Sequence, residues 1–154
     1  MAEPQTLNGL LVRAAGREDT GLRLIDRRQR AEFLPWSEVH SRALRVAGGL
    51  GSIGIAKGER VALVYPTCAE FFEAFFGILA AGAVPVPLYP PVRLGRLDEY
   101  TDRTAAMLRA VDTRLVLAGR RVRRLLGEAV EAANPVHGCT DVGSLPAAVA
   151  HEIE

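Results

Sequence analysis

The sequence has almost no lysine, few cysteines and almost no net charge. Lys57 is the only lysine beside eighteen arginines in 154 residues, so phosphate chemistry that uses a lysine has a single candidate. Cys68 and Cys139 are too few for a disulfide scaffold, which predicts free thiols in a reducing compartment and a cytoplasmic protein. The net charge of +1 provides no electrostatic basis for binding nucleic acid or an anionic membrane.

Common catalytic motifs are also missing. The sequence contains no G-x-S-x-G, no H-E-x-x-H and no G-x-x-x-x-G-K-[ST]. His40, His137 and His151 are too far apart in sequence to predict a metal site. No basic segment followed by an apolar one opens the chain, so we predict no signal peptide.

What is present is typical of a soluble globular protein. The apolar share is 49% and the charged share 24%, and 154 residues suit one domain with its own core. The uncharged stretch 74–92 is long enough to span a membrane, but Pro85, Pro87, Pro90 and Pro91 would leave backbone groups unsatisfied in lipid. We therefore predict a buried helix followed by a strand, and no transmembrane segment.

The strongest secondary-structure signal lies in residues 60–91. Val61–Tyr65 is a short continuous apolar run, typical of a strand covered on both faces. Thr67 to Glu70 forms a capping-box pattern that predicts the start of a helix, and Gly82 predicts its end. Val84–Leu88 follows as an extended segment, so we expect two parallel strands joined by a crossover helix.

Helical and extended patterns alternate through the remaining sequence. We therefore predict an α/β fold with a mainly parallel sheet flanked by helices, preceded by an N-terminal antiparallel hairpin. The other predicted elements are a helix at Thr6–Ala15, hairpin strands at Leu22–Asp26 and Ala31–Leu34, a helix at Ser37–Leu50 capped by Ser37, a linker from Pro90 through Gly95, a helix at Arg96–Val111, a strand at Leu115–Ala118, a helix at Arg120–Ala133, a short strand at Asp141–Val142 and a helix at Leu145–Ile153.

Three groups of residues are candidates for binding or chemistry. Gly49 to Gly54 matches G-x-G-x-x-G, but a helix precedes it and a strand follows, the reverse of a dinucleotide site. We therefore interpret these glycines as ending the helix, and a Rossmann-type oxidoreductase rests on them alone. Cys68 lies at a predicted helix start, where a thiol can be activated, but no histidine is near, which favours a small buried residue.

The third group is the arginine cluster of Arg120, Arg121, Arg123 and Arg124. Such a cluster can bind phosphate, although a solvated helix face is the simpler interpretation. Positive charge early in a helix opposes the helix dipole, which leaves open a contact with an acidic partner. The residues themselves therefore assign no catalytic, cofactor-binding or metal-binding side chain.

Two segments resemble core motifs of the adenylate-forming superfamily, the AMP-dependent synthetases and ligases. Leu34 to Val39 is similar to the first motif, a Thr-Tyr-x-Glu-Leu pattern after a leucine, with Pro35 and Trp36 replacing the first two residues. Leu79 to Leu88 is similar to the second motif, of an Ala-Gly-x-x-x-x-Pro-Leu type. The separation of the motifs also fits, and the resemblance covers about residues 6–133.

Within this superfamily the chain most resembles fatty acyl-AMP ligases, on the residues Leu88 to Pro91, Arg96-Leu97 and Glu99-Tyr100. The resemblance implies the N-terminal part of an enzyme that uses ATP and Mg²⁺ to convert a fatty acid into acyl-AMP and pyrophosphate. The acyl group then passes to an acyl carrier protein or to CoA.

The same resemblance implies parts that this chain lacks. The family chemistry needs a Gly/Ser/Thr-rich loop with a lysine, an acid that binds ribose, and a late lysine. No catalytic or ligand-binding residue is therefore carried over. We expect residues 1–154 to form a single partial domain that is inactive alone and packs against the remainder of the ligase.

A second hypothesis is a non-catalytic interaction or regulatory module that retains the ligase scaffold and binds a partner protein. The two hypotheses differ in how apolar surface is covered. A dimer that binds little hydrophobic dye favours the module, whereas an aggregating monomer that binds dye favours the fragment.

Overall fold

The computed structural model describes residues 6–91 and 96–148. Helices and strands alternate over most of this length. Their bounds are α1 Leu7–Ala15, β1 Gly21–Ile25, β2 Ala31–Pro35, α2 Trp36–Ser52, β3 Arg60–Val64, α3 Ala69–Ala80, β4 Val84–Pro87, α4 Leu97–Ala110, β5 Thr113–Ala118, α5 Arg120–Ala133 and β6 Cys139–Thr140, followed by a 3₁₀ turn at Val142–Ser144.

A four-stranded parallel sheet in the order β4-β3-β5-β6 forms the centre of the molecule. β3 lies inside the sheet, and Val61 through Val64 are fully buried, as expected for an apolar strand covered on both faces. β1 and β2 form a separate antiparallel hairpin. The predicted α/β fold class, with its parallel sheet and N-terminal hairpin, is confirmed.

Helices cover both faces of the parallel sheet. Successive strand residues point to opposite faces, so β3 and β5 supply side chains to two cores. α2 and α3 cover the face that includes Leu63 and Leu115, whereas α4 and α5 cover the face that includes Val64 and Val116. The described part of the uncharged stretch, residues 74–91, contains the second half of α3 and strand β4, and no helix in the described ranges has the length and hydropathy to cross a membrane.

A third, smaller core joins the hairpin to the helices. Leu11 of α1, Leu34 of β2 and Val39 of α2 are buried together. The helix predicted from Thr6 begins at Leu7, and the Thr6 hydroxyl caps it by accepting a hydrogen bond from the Gly9 N–H at 3.1 Å.

Two predicted helix caps are wrong. α3 begins at Ala69 with an extended Cys68 (φ −152°) at its N-cap position, so Thr67 lies one residue too early to cap it. α2 begins at Trp36, because β2 runs through Pro35 directly into the helix, and Ser37 therefore lies within the first turn. Neither helix has a side-chain cap hydrogen bond.

Two predicted segments after α5 also differ. The strand predicted at Asp141–Val142 is Cys139–Thr140, because those are the residues that pair with β5. Residues 145–148 are not helical: Leu145 is extended (ψ 145°), the conformation that a following proline imposes, and residues 149–153 of the predicted helix lie outside the described residues. Residues 92–95 of the predicted linker lie outside them as well.

Candidate functional site

The carboxyl ends of β3, β5 and β6 meet at one edge of the parallel sheet. In open α/β sheets, ligands bind in the crevice outside this edge. Tyr65 follows β3, Gly119 follows β5 and Asp141 follows β6. α3 and α5 also begin here, with Cys68 and Gly119 as N-cap residues.

Polar groups at this edge bind one another. An Arg123 N–H donates to the Asp141 carboxylate at 3.0 Å, and the Ser144 hydroxyl donates to the same oxygen at 3.1 Å. The Tyr65 hydroxyl accepts a hydrogen bond from the Val142 N–H at 3.3 Å. Burial raises the pKa of Tyr65, so the phenol stays protonated at neutral pH. These contacts fasten residues 141–144 to the sheet and α5.

The sequence did not predict this cluster. Tyr65 was assigned only to the strand, Asp141 to a short strand, and Arg123 to an arginine cluster. Arg123 and Asp141 are eighteen residues apart, and only the parallel placement of β6 beside β5 brings them together. A polar residue directly after a buried strand is the sequence signal that could have identified this edge.

Neither cysteine is activated. Burial raises the pKa of Cys68 to about 11, outweighing the Phe71 N–H that lowers it. Burial also raises the pKa of Cys139 to about 11. A nucleophilic thiol needs a lowered pKa, so both side chains act as small structural residues.

The G-x-G-x-x-G segment is a packing element. α2 continues through Gly49 to Ser52, two residues beyond the predicted end. Gly49 lies directly against residues 145–146, where a Cβ at position 49 would be 2.8 Å from the Leu145 Cβ. Gly54 then turns the chain with φ +88°, a conformation that side chains disfavour. The glycines allow residues 145–146 to pack closely against α2 and allow α2 to end. No helix begins directly after them.

The other candidates also have structural surroundings. Lys57 packs its stem against Gly82, whose φ of +71° ends α3 as predicted. Within residues 6–91 and 96–148, no three His, Cys, Asp or Glu side chains are grouped to hold a metal ion, and His151 lies outside these ranges. In the arginine cluster Arg123 is paired, whereas Arg120, Arg121 and Arg124 are exposed.

A groove lies between the hairpin and the start of α3. Asp26 and Arg30 of the hairpin turn line it together with Glu70 of α3. Asp26 is already occupied: two Arg30 nitrogens and the N–H groups of Arg28 and Arg30 donate to its carboxylate. The charged side chains of the hairpin turn that line this groove are therefore already paired with each other.

The structure thus defines a three-layer α/β domain whose sheet edge is occupied by its own contacts. Residues 13–152 match the model of the family described as AMP-binding enzyme. The chain therefore belongs to the AMP-binding enzyme family, the adenylate-forming enzymes that the two sequence motifs resemble.

Curated relatives include fatty acid ligases. The chain is 42% identical over 79 residues to the long-chain-fatty-acid–AMP ligase FadD26 of Mycobacterium marinum, which covers 51% of this chain and 13% of the relative. It is 35% identical over 124 residues to the phenyloxazoline synthase MbtB of a Mycobacterium species, covering 77% of this chain and 10% of the relative. The chain thus spans a small part of these relatives.

A solved structure of a longer protein also matches this chain over part of its own length. A structure from a study of fatty acyl-adenylate ligases of E. coli and L. pneumophila superposes with a TM-score of 0.87 and 29% identity. It covers 99% of this chain, whereas this chain covers 28% of it. The fold described above is thus the N-terminal part of an adenylate-forming domain.

The described residues do not fit ATP or Mg²⁺. No Gly/Ser/Thr-rich loop with a lysine occurs, and the stem of Lys57 lies against Gly82. Asp141, the carboxylate at the sheet edge, is bound by Arg123 and Ser144. No step of nucleotide chemistry can be derived from these side chains.

Proposed function

We propose that this chain is the N-terminal portion of a fatty acyl-AMP ligase. The whole enzyme would join a fatty acid to ATP, giving acyl-AMP and pyrophosphate, and pass the acyl group to an acyl carrier protein or CoA. The superposition on a fatty acyl-adenylate ligase over 99% of the chain supports this proposal. The 42% identity to FadD26 supports the choice of a fatty acid as substrate.

In this proposal residues 1–154 form a single partial domain that supplies scaffold rather than chemistry. The remainder of the ligase, on the same or a separate chain, would contribute the loop that holds the ATP phosphates, the acid that binds ribose and the late lysine. The free thiols of Cys68 and Cys139 fit a reducing cytoplasm, where ATP is also available.

Inactivity of the isolated chain is tested with ATP, Mg²⁺ and a long-chain fatty acid. We expect neither acyl-AMP nor fatty acid-dependent exchange of pyrophosphate into ATP. Acyl-AMP formation by the purified chain would overturn this part of the proposal.

The scaffold role is tested by a chimera. The N-terminal part of the M. marinum FadD26 is replaced by this chain, and acyl-AMP formation is measured against intact FadD26. We expect an active chimera, because this segment places the sheet and helices and not the reacting groups. A matched chimera carrying Val61→Asp buries an unpaired charge in β3 and should be inactive. A folded chimera that binds ATP but forms no acyl-AMP would count against the ligase assignment.

A further inference from the structure

The solvent-facing stripe of α5 has an unusual order of charges. Arg121 and Arg124 lie in its N-terminal half, and Glu128 and Glu131 lie in its C-terminal half. Their spacing of three, four and three residues keeps them on one side of the helix, at about 100° per residue. All four are exposed, and the stripe lies opposite Leu126, which is fully buried.

This order of charges is unfavourable within a single helix. Like charges face each other at Arg121 and Arg124, and again at Glu128 and Glu131, each three residues apart. Arg124 and Glu128 have opposite charges but form no ion pair in the described part of the chain, and this order is the weaker orientation for a pair four residues apart. The first turn also has no acidic residue and no side-chain cap to offset its arginines.

The same stripe is complementary to a second copy of itself. Positions equally far before and after residue 126 face each other when two copies of a helix pack antiparallel about a twofold axis at that level. Arg124 then faces Glu128 of the second copy, and Arg121 faces Glu131. Each pair also occurs in the reverse sense, so four unlike charge pairs between the copies offset the like-charge repulsions within each helix.

We propose that the chain self-associates through α5, with the arginine half of one copy on the glutamate half of the other. The acidic partner that the sequence left open for the arginine cluster is then a second copy of this chain. The contact depends on charges exposed to solvent, and each such pair contributes little. The dimer is therefore weak, and salt dissociates it.

Sedimentation equilibrium of the 154-residue chain tests the proposal. At low salt the mean mass should rise with protein concentration toward a dimer, and added salt should return it to the monomer. Arg124→Glu places a second carboxylate against Glu128 of the other copy, and Glu128→Arg places two arginines together. Each variant alone should associate about tenfold more weakly than the wild type.

An equimolar mixture of the two variants is the decisive sample. A chain with glutamate at both positions is complementary to a chain with arginine at both, so the mixture should associate as strongly as the wild type. The control pair, Arg27→Glu and Glu18→Arg, makes the same charge changes at exposed positions away from α5 and should associate like the wild type, separately and mixed.

Three results would overturn the proposal. The first is a wild type that stays monomeric at low salt and high concentration. The second is a wild-type dimer that neither α5 variant weakens, which would place the contact elsewhere. The third is a mixture no stronger than its components. Thermal melts of each variant, followed by circular dichroism, ensure that a loss of association is not a loss of fold, and Arg124→Gln and Glu128→Gln replace any variant that melts early.

Discussion

Gly77 of α3 lies directly against Val46 of α2. A Cβ at position 77 would be 2.5 Å from the Val46 Cβ and 2.9 Å from the carbonyl oxygen of Ala43. The two helices that cover one face of the sheet therefore cross at a residue without a side chain. The backbone oxygen cannot move aside without disturbing α2, so this crossing sets how closely the two helices pack.

Gly77→Ala should destabilise the protein. We expect the free energy of unfolding to fall by about 1–3 kcal/mol, the usual cost of inserting a methyl group into a packed core. Urea denaturation followed by circular dichroism measures this change. Gly127→Ala is the matched control, since Gly127 lies in the interior of α5 with open space around it and alanine there should add about 0.5–1 kcal/mol. Equal effects at both positions would contradict the close crossing.

Arg42 of α2 forms a second link between these helices. Its guanidinium donates to Glu38 within α2 and to Glu73 of α3, both at 2.7 Å, and the Glu73 side chain is only 12% exposed. Arg42→Met removes the cation while keeping much of the stem, so a largely buried carboxylate loses its partner. We expect a loss of about 1.5–3 kcal/mol in unfolding free energy, measured by urea denaturation.

Glu38→Gln provides the comparison for Arg42. The Glu38 side chain is 47% exposed, so solvent weakens its ion pair with Arg42. Glu38→Gln should therefore cost clearly less than Arg42→Met. If the two substitutions cost the same, the contact with Glu73 does not link the helices energetically.

The sequence predicted the elements whose pattern is local. The apolar run at Val61 and the helical spacing of Leu126 and Ala129 depend only on which residues follow one another, and both elements are confirmed. Helix caps were predicted less well, because a cap depends on the backbone conformation where the chain enters the helix. An extended Cys68, rather than Thr67, occupies the N-cap position of α3.

Contacts between distant segments were not predictable. β6 has two residues, and its position follows from pairing with Val116 and Leu117 of β5 rather than from its own pattern. The contact of Arg123 with Asp141 depends on that pairing. Gly49 was interpreted as a helix terminator because the sequence does not reveal that Leu145 packs against it.

Glu59 makes the stability of the fold vary with pH in the acid range. The Ala56 N–H donates to its carboxylate at 2.9 Å and Arg114 donates at 2.8 Å, and both contacts lower the pKa of Glu59 below its usual 4.5. A lowered pKa in the folded state means that the unfolded chain takes up the proton more readily. This contribution is thus fully present above pH 4.5 and is lost as the pH falls below that value.

Glu59→Gln removes the titrating group, so the variant should lose less stability between about pH 5 and about pH 3 than the wild type. Urea denaturation at several pH values measures the slope. Glu18→Gln removes a carboxylate at an exposed position and serves as the control. Parallel curves for Glu59→Gln and wild type would show that the contacts with Ala56 and Arg114 do not favour the ionised carboxylate.

The two thiols should react slowly while the protein is folded. Burial raises the pKa of Cys68 and of Cys139 from 9.0 to about 11, so at pH 8 the thiolate population of each is about a hundredfold below that of an ordinary cysteine.

With Cys139→Ala isolating Cys68, reaction with a disulfide reagent should be at least about tenfold slower in buffer than in urea. The rate in buffer should continue to rise beyond about pH 9. Burial in the folded state favours the protonated thiol. The contribution of each thiol to stability is therefore present below pH 9 and is lost as the pH rises toward 11. A fast reaction at about pH 8 that levels off below about pH 9 would instead identify Cys68 as an activated thiol at the start of α3.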